Sequence, residues 1–191
     1  MDQNAEAAVT QNQLSGRATG ALFFSVFGAL WIGLGLYVRE TLTAVYVVPT
    51  AILLTALIAG ALWLKRRAAS FPHAPADKAQ SRSFNRINLA QWVAIGLVGV
   101  TFGRLHIELY ALTAIVVIVG LHLLPLARVF HYPMHYVTGT ALLAWAVLTL
   151  CFVSHDHLQS VTAIGTGIVL WLSAAVTLAL AWVLARRRIV G

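Results

Sequence analysis

The chain alternates long, nearly unbroken runs of apolar residues with short polar or charged segments. A spanning helix needs about 20 largely apolar residues, because the hydrocarbon core of a bilayer is about 30 Å thick. Six stretches reach or approach that length: 20–38, 42–64, 87–103, 109–127, 136–154 and 158–185. The third, bounded by Arg86 and Arg104, is the shortest. The sixth is the longest and is expected to tilt or to run on into the cytoplasm before Arg186. Pro49 and Pro125 fall inside the second and fourth runs, where each removes a backbone donor and can bend the helix. The pattern predicts an all-α polytopic membrane bundle of six transmembrane helices.

Loop lengths group these helices. The connections 39–41, 104–108 and 155–157 are tight, so the helices they join are expected to be antiparallel neighbours, giving three helical hairpins. The one long connection, 65–86, carries Pro72, Pro75, Ser70, Ser81 and Ser83 and is expected to be a mobile cytoplasmic linker. Residues 1–18 form a polar N-terminal segment, and 19–191 a single transmembrane domain. The first apolar run has no small-residue cleavage site before a soluble domain, and it is read as a retained helix. The segments that follow each tight turn, VPTAILLTALIAG, ALTAIVVIVG and VTAIGTGIVL, also suggest a faint threefold repeat.

Composition changes the picture only by excluding alternatives. Charged residues make up 10% of the chain and hydrophobic ones 60%, whereas soluble domains are about a quarter charged. The net charge of +7 would suggest nucleic acid in a soluble protein. Here eleven of the thirteen Lys and Arg fall on one side of the six-span arrangement, leaving Arg39 and Arg104 on the other. That is the bias of cytoplasmic loops, and it places both termini inside. No nucleic-acid-binding pattern accompanies the charge. The expected partners are membrane lipids, with anionic headgroups at Lys65-Arg66-Arg67 and Arg186-Arg187-Arg188, and a homo-oligomer. A single cysteine, Cys151, rules out an intrachain disulfide.

Packing candidates are the small-residue faces at Gly28/Gly35, Gly96/Gly99/Gly103 and Gly165, which let helices approach closely. Trp63, Trp92 and Trp182 lie near the cytoplasmic boundary and read as interfacial anchors; Trp31, Trp145 and Trp171 read as packing residues.

Three constellations could carry chemistry. On the outer side, His106 and Glu108 in one turn and His155, Asp156 and His157 in another are plausible ligands for a divalent metal. Their alternate spacing converges only if the turns are extended, and otherwise they are simply polar turns meeting water. On the cytoplasmic half, Asn85, Asn88 and Gln91 recur on one face of the third helix, and His122 lies two turns before Arg128 on the fourth. An ionisable residue inside a span suggests a proton-accepting or substrate-binding group. A neutral imidazole bonded to a carbonyl or to Gln91 is the structural alternative. The third is His131-Tyr-Pro-Met-His135-Tyr136, either an interfacial turn with aromatic anchors or, with Arg128, a place for a headgroup or substrate.

Known catalytic and nucleotide-binding motifs are absent from the sequence. The layout resembles small bacterial inner-membrane proteins built as three helical hairpins, an architectural resemblance that carries over no site residue. The expected home is the bacterial cytoplasmic membrane. The expected role is a non-catalytic binding, scaffold or stress-related membrane protein without a cofactor. The alternatives are a small transporter or channel lined by the third and fourth helices, and a metal-dependent membrane enzyme using the outer turns.

Overall fold

Thr10 starts the first helix. Its hydroxyl accepts from the Gln13 backbone N–H at 3.4 Å, and its own N–H donates to the Gln13 side chain at 3.2 Å. This capping box satisfies two of the donors that a helix start leaves open. The computed structural model describes residues 10–72 and 78–187, and every regular element among them is helical. The order is α1 (Gln11–Val38), α2 (Ala44–Ala68), α3 (Lys78–Leu105), a single 3-10 turn (Glu108–Tyr110), α4 (Ala111–Val129), α5 (Met134–Phe152) and α6 (His155–Arg187).

Several boundaries differ from the sequence reading: α1 begins at Gln11, inside the segment expected to be a polar tail, and α2 runs on to Ala68, inside the expected linker. Helix α3 begins at Lys78, inside the segment expected to be linker, and α6 begins at His155, inside the expected outer turn. These extensions add polar residues that hydropathy alone assigns to loops. They are helical because a helix satisfies its own backbone hydrogen bonds whatever the polarity of its side chains.

Among the described residues, five helices are long and apolar enough to cross a membrane: α1, α2, α4 with its preceding turn, α5 and α6. Helix α3 has 28 residues but falls outside that group. Its apolar stretch is flanked by Arg86 and Arg104 and contains Asn88 and Gln91.

Three connections share one closure. Glu40, His106 and His131 take the left-handed conformation, with φ of 56°, 54° and 49°. The N–H of each following residue reaches back to a carbonyl five residues earlier: Thr41 to Leu36 at 2.9 Å, Ile107 to Phe102 at 3.0 Å and Tyr132 to Ala127 at 3.0 Å. Glycine normally fills that position, because a Cβ there costs about 1–2 kcal/mol. Glu40→Gly should therefore raise thermal stability in detergent by about 0.5–1 kcal/mol, once glycine's greater unfolded-state entropy is subtracted. An unchanged or lower melting temperature would mean that Glu40 makes a compensating contact.

The helices pack in the spatial order α3, α4, α5, α6, α1, α2. Neighbours within the tight-turn pairs do touch, but the two most extensive interfaces are α1 with α6 and α4 with α5. Lipid tails are as apolar as leucine, so helices in a bilayer associate through close packing and interhelical hydrogen bonds. Both dominant interfaces have that character. At α1–α6, a Cβ on Gly28 would run into the Trp171 ring, and one on Gly167 would lie 2.5 Å from the Gly28 carbonyl oxygen. Trp171 Nε1 donates to the Ser25 carbonyl at 2.8 Å across the same seam. Further along, a Cβ on Gly35 would come 2.8 Å from the Ser160 carbonyl. At α4–α5, Gly120 and Gly139 face each other, and a Cβ on Gly139 would sit 2.7 Å from the Gly120 carbonyl. Gly165 seats the Trp145 ring, whose Nε1 donates to the Thr162 carbonyl at 3.2 Å.

The faces at Gly28/Gly35 and Gly165 are thus close-packing faces, as expected. The face at Gly96, Gly99 and Gly103 is not: a Cβ on any of them meets nothing within 4 Å. Helix α3 approaches only α4 and the 3-10 turn, and it buries no residue fully.

The outside of the bundle is apolar. Val45, Leu97 and Leu172 are among many large aliphatic side chains that are more than half exposed. Such a surface is consistent with a multi-pass membrane protein, in which lipid covers what water would not. Trp63, Trp92 and Trp182 are exposed, whereas Trp31, Trp145 and Trp171 are half-buried.

Candidate functional site

One end of the bundle gathers polar contacts from four separate parts of the chain. The backbone N–H of Gln11 donates to the Pro72 carbonyl at 2.9 Å, tying the start of α1 to the residues after α2. Gln80 Nε2 donates to the Val129 carbonyl at 2.8 Å, tying the start of α3 to the end of α4. Arg17 of α1 lies over the Tyr132 ring, 5.1 Å from its centroid. The Tyr132 hydroxyl donates to Thr177 Oγ1 of α6 at 3.1 Å. The opposite end is joined more loosely: Gln159 Nε2 donates to the Glu108 carbonyl at 3.1 Å, and the Tyr110 hydroxyl lies 3.4 Å from His155 Nε2.

At the basic end, Pro133 serves as the cap of α5, so His135 falls in the first turn and its side chain turns inward. Its ring meets three aromatic rings edge-on: Tyr132 at 5.3 Å, Phe24 of α1 at 6.0 Å and Phe130 at 6.1 Å. Phe84 of α3 stands behind Phe130 at 5.7 Å. His122 lies on α4, which packs against both α3 and α5, with its ring against the backbone of Ile87 on α3.

Each of these two imidazoles has its Nδ1 buried with no hydrogen-bond partner. More than nine-tenths of buried polar groups in proteins are paired, and leaving one unpaired costs about 1–3 kcal/mol. Two such atoms on adjacent helices, the one on His135 ringed by aromatic side chains, make a place suited to a ligand with hydrogen-bonding groups.

The other sequence-predicted residues take different positions. Asn88 and Gln91 are half-buried on the side of α3 that packs against α4, and Asn88 directly follows Ile87. Asn85 is exposed. Arg128 Nε donates to the Tyr136 hydroxyl at 3.2 Å at the rim. His131 is exposed in the left-handed turn position and does not share a face with His135. At the opposite end, His155, Asp156 and His157 lie in the first turn of α6, where helical geometry points His155 and His157 apart. His155 meets the Tyr110 ring instead, and His106 is the left-handed residue after α3. Among the described residues, no three His, Cys, Asp or Glu side chains come together as a metal would require.

Sequence reasoning missed Phe24, Phe84, Arg17 and Thr177. Each lies far along the chain from the residue it meets, and nothing in its local sequence marks it. The sequence did single out His122 and His135, but in two separate constellations.

Compared with models of known protein families, with curated proteins and with solved structures, the chain matches none.

Proposed function

We propose that the protein is a non-catalytic, small-molecule-binding protein of the bacterial cytoplasmic membrane, with six spans and both termini inside. The reading rests on the buried, unpartnered Nδ1 atoms of His122 and His135, on the packed helices α4 and α5. Asn88 and Gln91, half-buried on α3, would flank the His122 side, and Arg128 and His131 would meet a ligand at the rim. Aromatic rings from α1 and from its own turn hold the His135 imidazole in place, which suits a fixed binding surface. The sixth span is α3, which at 1.5 Å per residue is about 42 Å long. Its Arg86 and Arg104 can extend toward the two interfaces.

Native mass spectrometry from mild detergent tests the binding. The expected result is a small adduct distinct from lipid on the wild type, reduced at least tenfold in His122→Ala and His135→Ala while the helical content is kept. A wild type that carries lipid alone would overturn the reading.

Topology has its own test, made simple by the single cysteine. In a Cys151→Ala background, a cysteine at Ser70 should react with a membrane-impermeant maleimide only after the cells are opened. One at Ser154 should react in intact cells. The reverse pattern would invert the orientation.

A further inference from the structure

Arg17, Phe24 and Trp31 of α1 recur every seven residues, which puts them on one face of the helix, and all three are half-buried. That face looks toward α4 and α5. Arg17 lies over the Tyr132 ring in the α4–α5 turn, 5.1 Å from its centroid, and Phe24 meets the His135 ring edge-on. Phe24 and Trp31 both pack against the buried apolar cluster to which α4, α5 and α6 contribute Val116, Leu142 and Leu170. The helix backbones do not come together there: α1 packs on α6 and α2, and on neither α4 nor α5. Side chains alone bridge this seam. Arg17 just precedes the apolar run that opens at Gly20, so it stands where a spanning helix meets the headgroups. Phe24 and Trp31 follow about 10 and 20 Å deeper, at 1.5 Å per residue.

The seam ends in a cation without a counter-ion. Among the described residues the acidic ones are Glu40, Glu108 and Asp156, and each sits in or beside a turn at the opposite end. No described acceptor takes up the N–H groups of Arg17 either. A guanidinium carries five N–H donors. Stacking on a ring uses its face and leaves the donors at its edge. An arginine that served only as an interfacial anchor would extend to water. Arg17 is instead held back over Tyr132, whose hydroxyl donates to Thr177 of α6 at 3.1 Å. Three segments of the chain thus set the position of this one cation.

We infer that one anionic phospholipid seats at this seam, with its phosphate on the Arg17 guanidinium and an acyl chain along Phe24 and Trp31. Arginine and phosphate match through parallel, charge-assisted N–H···O bonds, which are stronger than neutral ones. Net negative charge is favoured because no described carboxylate at this end could take the ammonium of a zwitterionic headgroup. The apolar stripe below Arg17 favours a lipid over a soluble phosphate. Phe23 and Leu30, on the flank of the same helix, are more than half exposed, so the seam opens beside a surface that lipid covers. This place is distinct from the basic run Lys65-Arg66-Arg67, which attracts headgroups through charge near the surface. The inference uses neither of the unpartnered Nδ1 atoms, so it goes beyond the ligand-binding reading and does not depend on it.

Native mass spectrometry from mild detergent, with equal amounts of phosphatidylglycerol and phosphatidylethanolamine of matched chains added, tests it. The wild type should keep one phosphatidylglycerol in preference. In Arg17→Gln that preference should fall about fivefold, the equivalent of about 1 kcal/mol, while the helical content is kept. Tyr132→Leu removes the ring that holds Arg17 and should lower the preference as well, which gives a second reading if Arg17→Gln does not fold. Replacing Lys65, Arg66 and Arg67 together by Gln should leave the preference in place. Equal retention of the two lipids by the wild type overturns the proposal, as does an unchanged preference in the folded Arg17 or Tyr132 variant. A loss in the triple variant as large as in Arg17→Gln would also overturn it. So would displacement of the lipid by glycerol 3-phosphate at equal concentration, because the headgroup alone would then suffice. A lipid preference without a small-molecule adduct would remove the binding reading and leave this inference. A small adduct on a protein with no lipid preference would do the opposite.

Discussion

Gly167→Ala should lower the stability of the protein by about 1–2 kcal/mol, whereas Gly99→Ala should leave it unchanged or raise it by up to about 1 kcal/mol. The two substitutions are chemically identical and both fall within helices, so the difference isolates packing. At Gly167 the new methyl would sit 2.5 Å from the Gly28 carbonyl oxygen, 2.5 Å from Ile32 Cγ1 and 3.0 Å from the Ile32 backbone nitrogen. Two of those atoms are backbone and cannot rotate away. Helices α1 and α6 must separate locally, and overpacking of that kind costs about 1–3 kcal/mol. Alanine's better helix propensity returns up to about 1 kcal/mol. At Gly99 the same methyl meets nothing, and only the propensity gain remains. Thermal melts in one detergent decide the matter. Equal shifts for both variants would mean that α3 is covered in the intact protein or that α1 and α6 do not meet as described.

Leu142→Ala should cost about 2 kcal/mol, while Leu97→Ala should change stability by no more than about 0.5 kcal/mol. Leu142 of α5 is fully buried against Val116, Leu123 and Leu170, and Leu97 of α3 is 62% exposed. In water both residues would contribute through the transfer of apolar surface. In lipid that contribution nearly vanishes, because the hydrocarbon is as apolar as the core. What remains for Leu142 is the cavity and the lost contacts, which puts the expected cost at the low end of the 2–5 kcal/mol seen for such truncations. For Leu97, lipid chains move in to fill the space. Comparable losses at the two positions, read from denaturation in detergent, would show that α3 is packed against something beyond α4.

Much of the architecture was legible without coordinates. Apolar runs marked the helices, and the division of tryptophans into exposed and packed sets followed from their distance to the basic segments. Helix ends were less legible. Lys78–Arg86 and His155–His157 are polar and sit beside turns, yet they are helical. Backbone hydrogen bonds from i to i−4 continue as long as no residue interrupts them, whatever the polarity of the side chains. The same extension separates His155 from His157. Of the candidate site residues, His122 and His135 stood out as ionisable groups in or beside apolar runs. Their shared surroundings did not, because the rings that enclose His135 come from Phe24 on α1 as well as from its own turn.

The sequence by itself determined that this is a helical protein with apolar helices of membrane-spanning length. Both properties are local: a helix satisfies its own backbone, and hydropathy is summed residue by residue over a short window. Only the tertiary structure decided that the two terminal helices form the most extensive interface, that Gly28 and Gly167 meet while Gly96, Gly99 and Gly103 face outward, and that His122 and His135 fall on helices that pack together. Those outcomes depend on which faces fit. When the surrounding solvent is as apolar as the side chains, the pattern of apolar residues does not distinguish a face that meets a helix from one that meets lipid.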